Sequence, residues 1–173
     1  MIPAEIKKKE NIAEYIIHMY QTEDLITTYD FNLDDIFEYV IRHMSKDERN
    51  LKSLLLWYAD LIEKMQAEGL PKEGQRLAAT QYYVNLLSHL HTELLETNTR
   101  YSILFKNAKD DIMAQISFAE GKISDPVQIC LNAIYGRLII NLNGKKLSSD
   151  QEKMIEKFAA ILKFLSAEYH KSK

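Results

Sequence analysis

Apolar residues recur three and four positions apart along nearly the whole chain, and no sustained run alternates apolar with polar. The first spacing marks one face of a helix; the missing one would mark a half-exposed strand. The pattern predicts an all-α protein, a single-domain antiparallel bundle of about six or seven helices over residues 1–173.

The first helix is expected from about Ala4 to Thr28. The second runs from about Leu33 to Met44, with Asn32 as its N-cap. The third opens with Ser45-Lys46-Asp47-Glu48, a capping-box pattern, and carries the stripe Leu51, Leu54, Leu55, Tyr58, Leu61, Ile62 and Met65. Gly69-Leu70-Pro71 stops it. The fourth spans about Gln75 to Glu96, and the fifth about Thr99 to Glu120, with Gly121 as its stop. The sixth begins at Asp125-Pro126, where Asp suits the N-cap and Pro the first helical position, and ends near Gly144. The seventh opens with a second capping box, Ser149-Asp150-Gln151-Glu152. Only five Gly and three Pro punctuate the chain, which fits long elements joined by short links.

Two features break the pattern. Ile12, Ile16, Met19 and Ile26 form the stripe of the first helix, and Glu23 falls close to its centre, flanked by Ala13, Tyr15 and Tyr20. A carboxylate there must be paired, protonated or wet. It is either a structural ion-pair member or a tuned acid lining a pocket. Arg100, Arg137 and His91 are its candidate partners, and the four together make a candidate buried polar site. His91 lies between Leu87 and Leu94 on the apolar face of the fourth helix, where a lone histidine is more often a core residue than a ligand.

The sixth helix is apolar nearly all round. Val127, Leu131, Ile134 and Leu138 occupy one face, and Ile129, Ala133, Gly136 and Ile140 the opposite one. Such a helix is either central to its own domain or covered by a second subunit. On the second reading Ile129, Ala133, Gly136 and Ile140 form a self-association face.

Composition narrows the function classes. The net charge of -3 argues against nucleic acid, which demands a basic field. The single Cys130 excludes an internal disulfide framework and a multi-cysteine zinc site, and its place at the edge of an apolar stripe suits an inert thiol. Lys7, Lys8 and Lys9 are followed by Glu10, Asn11 and Glu14 rather than the apolar core of a signal peptide. No stretch is apolar long enough to span a membrane. Glu14 with His18 and His89 with Glu93 have the i, i+4 spacing of a metal clamp but lie on polar faces. Glu-x-x-His, His-Glu-x-x-His and a phosphate loop are all absent. Between Lys9 and Arg42 stand eight carboxylates and no Lys or Arg, either an acidic docking surface or a solvated face balanced by lysines such as Lys106, Lys109, Lys145 and Lys146.

The stretch Lys9-Glu10-Asn11-Ile12-Ala13-Glu14-Tyr15, continued by Met19-Tyr20-Gln21 and Glu23-Asp24-Leu25-Ile26, resembles the start of an uncharacterised bacterial family of all-helical proteins of similar length. The resemblance implies a helical fold and a cytosolic location, and it implies no activity, cofactor or catalytic residue.

The expectation is a cytoplasmic, non-catalytic interaction or scaffold protein that forms a homodimer. No cofactor, metal, nucleic acid or membrane is expected as a partner. The rival is a small-molecule-binding or enzymatic bundle with a buried polar pocket around Glu23 and His91.

Overall fold

Eight helices and no strand make up the computed structural model, which describes residues 1–173. They are α1 (Pro3–Glu10), α2 (Ile12–Thr28), α3, α4 (Glu48–Ala67), α5 (Ala78–Thr97), α6 (Thr99–Phe118), α7 (Pro126–Leu142) and α8 (Ser149–Lys171). Helix α3 is composite. It begins at Leu33–Ile36, passes through a π-helical turn at Phe37–Ile41 and ends with Arg42–Met44.

The expected first helix is broken at Asn11. The Ile12 N–H donates to Nε2 of His170 at 3.0 Å, and Asn11 Oδ1 accepts from Ser166 at 2.8 Å. Side chains of α8 thus take over where the helical ladder would have continued. The π turn in α3 also departs from a plain amphipathic period. Its i to i+5 bonding brings residues five apart together, and Ile36 and Ile41 are both fully buried.

Helix starts follow local chemistry. Asn32 caps α3 by accepting from the Asp35 amide. Asp125 caps α7 ahead of Pro126. Two caps lie elsewhere than the sequence pattern puts them. Helix α4 is capped by Asp47, which accepts from the Arg49 and Asn50 amides, while Ser45 accepts from Asp47 N–H. A carboxylate two residues closer to the helix reaches its free amides better than the Ser45 hydroxyl. At α8 the capping box is Ser148 with Gln151, one position earlier than Ser149 with Glu152. The run Ser148-Ser149 offers two hydroxyls, and Ser148 is the one whose N3 partner reaches back.

Helix ends use left-handed backbone. Gly69, at φ 69°, closes α4, with Leu70 N–H returning to the Met65 carbonyl. After α6 the first left-handed residue is Glu120, at φ 52°, and Gly121 follows it.

Backbone contacts divide the chain into two compact units. Met1–Glu10 and Glu14–Gln81 form the first; Asn11–Ala13 and Tyr82–Lys173 form the second. In the first, Met19, Ile26, Ile36, Ile41, Leu54, Tyr58, Leu61 and Met65 share one core. In the second, α6, α7 and α8 pack on one another. Helices α6 and α8 run antiparallel, since Tyr101 meets Phe164, Asp111 meets Lys157 and Gln115 meets Met154. Ile112 of α6, Val127 and Leu131 of α7, and Phe158 and Leu165 of α8 are all buried.

Asp125 ties this second core to α5 by accepting from Ser88 as well as from the Val127 amide. Asp125→Ala is expected to cost about 1–2 kcal/mol, the upper range for a lost N-cap. Urea unfolding at neutral pH measures it.

Candidate functional site

Glu23 is buried to 2% exposure among Ile16, Met19, Tyr20 and Ile26, as the stripe of α2 requires. Its partners come from the start of α5. Oε1 accepts the Leu77 N–H at 2.7 Å, and Oε2 accepts the Thr80 hydroxyl at 3.1 Å. The Leu77 carbonyl in turn accepts from the Thr80 and Gln81 amides, so Leu77 is the residue that opens the helix. A helix start offers unpaired N–H groups and partial positive charge, which suits a carboxylate.

Burial pushes the Glu23 carboxyl above its usual range. The Leu77 hydrogen bond, the Arg76 guanidinium and the Thr80 hydroxyl all pull against that rise, and Asp24 adds to it.

Arg76 is anchored beside the site. It donates to Asp24 at 2.7 Å and to the Tyr20 carbonyl at 3.2 Å, and its guanidinium lies 4.4 Å from the centre of the Tyr20 ring. Glu68 accepts from the Ala78 N–H at 2.8 Å.

None of the expected partners meets Glu23. Arg100 is exposed. Arg137 pairs with Glu152 at 3.4 Å. His91 is buried, and its Nδ1 shares a 2.6 Å hydrogen bond with the Tyr101 hydroxyl. The hydrogen-bond partners of the buried carboxyl on α2 are a main-chain amide and a threonine, which carry no formal charge, and the arginine that acts on it is Arg76 rather than Arg100 or Arg137.

His91 belongs to a cluster of its own. The rings of Tyr101 and Phe105 meet it edge-on, and Phe164 packs on Tyr101. Burial lowers the His91 pKa, against the opposing pull of Asp125, which favours the neutral imidazole. Burial likewise raises the Tyr101 hydroxyl, helped by Cys130 and Asp125. Cys130 is fully buried and its thiol is pushed up to about 12, chiefly by loss of water. A thiol in that state is a poor nucleophile. No buried side-chain polar atom lacks a hydrogen-bond partner.

No group of three or more His, Cys, Asp or Glu side chains is gathered to hold a metal. Glu14 pairs with Lys7, and His18 stacks on Trp57. The acidic run is balanced partly from close by: Asp24 meets Arg76, and Glu38 meets Arg42.

Helix α7 divides along its length. Val127, Ile129, Cys130 and Leu131 are buried, so its first half is covered on opposite faces. Ile129, at 5% exposure, is already occupied within its own chain and has little surface to give a partner. Ala133, Gly136 and Ile140 are half-buried. The open face is centred on Ile139, about a quarter turn away from the face centred between Ala133 and Ile140. It holds Gln128, Asn132, Tyr135, Gly136, Ile139 and Leu142, of which Ile139 is 37% and Leu142 63% exposed. A methyl group added at Gly136 would meet nothing within 4 Å. The polar residues Gln128 and Asn132 mark this direction in the sequence, and the helical period carries it on to Ile139.

Further along, Asn141, Gly144, Lys145, Lys146, Leu147 and Glu152 line an open cleft of about 420 Å³. No helix is long and apolar enough to cross a membrane. No curated protein and no solved structure matches the chain. A family model described as a domain of unknown function, DUF4924, matches residues 1–173, and the chain belongs to that family.

Proposed function

We propose that this chain is a non-catalytic helical interaction protein of the bacterial cytoplasm, working as a homodimer through the open end of α7. The exposed pair Ile139 and Leu142, beside Gly136 with free space where a side chain would stand, carries the reading. The face is uncharged from Gln128 to Leu142, and the one charged residue of α7, Arg137, is paired with Glu152. Two copies would therefore meet there without like-charge repulsion, and the absence of a side chain at Gly136 would let them approach closely. That the family match spans residues 1–173 as one domain supports a single helical domain.

The pocket reading has weaker support. Both oxygens of Glu23 and the Nδ1 of His91 already have partners within the protein.

Native mass spectrometry and light scattering at micromolar concentration test the proposal. The expected mass is twice the 20.2 kDa of one chain. Ile139→Glu is expected to return it to the monomer with helical circular dichroism unchanged. A wild-type monomer would sink the homodimer. A retained small molecule would favour the pocket.

A further inference from the structure

Residues 68–77 form a strap between α4 and α5, tied down by three carboxylates. Glu68 holds the Ala78 amide, Asp24 holds Arg76, and Glu23 holds Leu77 and Thr80. The first two ties are exposed. Only the third is buried, at the residue where helix α5 begins. Glu23 lies 54 positions before Leu77, so this single side chain closes a long stretch of chain.

A carboxylate out of water resists ionisation, and the same group in water ionises freely. Opening the strap and the first turn of α5 would return Glu23 to water. Docking and proton uptake at Glu23 are then linked.

We propose that Glu23 is a proton-sensitive latch: the protonated side chain keeps residues 69–80 docked, and the ionised side chain lets them open more often. Both states keep two hydrogen bonds in the docked form. The carboxylate accepts from Leu77 and Thr80; the neutral acid accepts from Leu77 and donates its proton to the Thr80 hydroxyl oxygen.

The charged groups acting on the latch are Arg76 from the strap and Asp24 from α2; Glu68, just after α4, holds the neighbouring Ala78 amide. Arg76 favours the ionised form, while Asp24 and burial oppose it, and burial is the largest influence. His18, one turn and a half back on α2, has a pKa lowered by burial and by Lys7, so its protonation acts in the opposite sense on the same unit.

The sign follows from linkage. The docked strap binds the proton more tightly than the open one. Docking is therefore strongest below the ordinary carboxylate pKa, weakens as pH rises to the higher docked value, and is level above it.

Amide hydrogen exchange at Leu77, measured on the full chain and corrected for intrinsic exchange, reads this directly. Between about pH 4 and 8, wild-type protection is expected to fall by up to about tenfold per pH unit and then flatten. Glu23→Gln is expected to show no such fall. Wild-type protection that is level, or that rises with pH, overturns the latch. A carbon-13 titration of the Glu23 carboxyl in wild type gives a second reading that needs no variant. A pKa above the ordinary carboxylate value is expected, and one at or below it overturns the proposal.

Discussion

Tyr101→Ala is expected to cost about 3–5 kcal/mol of folding stability, the range for emptying a fully buried aromatic site. Tyr101 is completely buried, and its ring contacts His91 and Phe164. Two losses add. The first is the cavity, which α6 and α8 cannot fill without moving off their antiparallel packing. The second is the hydroxyl, without which buried His91 Nδ1 loses its 2.6 Å partner. Tyr101→Phe separates them. It keeps the ring and removes only the hydrogen bond, for an expected cost of about 1–2 kcal/mol. Urea unfolding of both variants measures each part. Equal costs would mean that packing contributes little at this position. The pair also sets a pH response. The folded His91 pKa is lowered by burial, so its contribution is present above the ordinary histidine pKa and is lost as pH falls towards the folded value.

The fold class was legible because periodicity reports on burial. The stripe of α2 is buried throughout and that of α4 for the most part, including Ile12, Leu54 and Leu61. Glu23 was legible as an anomaly for the same reason: its position in the stripe of α2 is a property of that helix alone. Its partners were not. Leu77 presents a backbone amide, identical in every residue but proline, and it meets Glu23 across 54 positions of chain. The break at Asn11 was hidden likewise, because the hydrogen bond that replaces the helical one comes from His170. On α7 the apolar pattern runs nearly all round, so the period alone does not separate covered from open; Gln128 and Asn132 point to the open side, and the packing of α6 and α8 decides how far the cover extends.

Glu23→Ala is expected to destabilise the chain by about 2–3 kcal/mol, while Glu23→Gln is expected to stay within about 1 kcal/mol of wild type. In the alanine variant the Leu77 N–H and the Thr80 hydroxyl lose their acceptor inside the protein. An unsatisfied buried donor costs about 1–3 kcal/mol. Against that stands a gain, since a carboxylate whose ionisation is opposed by burial has been removed. Glutamine keeps the shape. Its amide oxygen accepts from Leu77, and its amide nitrogen donates to the Thr80 oxygen. The comparison therefore separates two roles. If Gln matches wild type, hydrogen bonding alone holds the start of α5. If Gln falls as far as Ala, the negative charge facing the helix start is what holds it, and the repulsion from burial is the smaller influence. Chemical denaturation at pH 7 gives both numbers. Repeating it at pH 5 gives the sign of the proton linkage, with wild type expected to gain on Glu23→Gln as the pH falls.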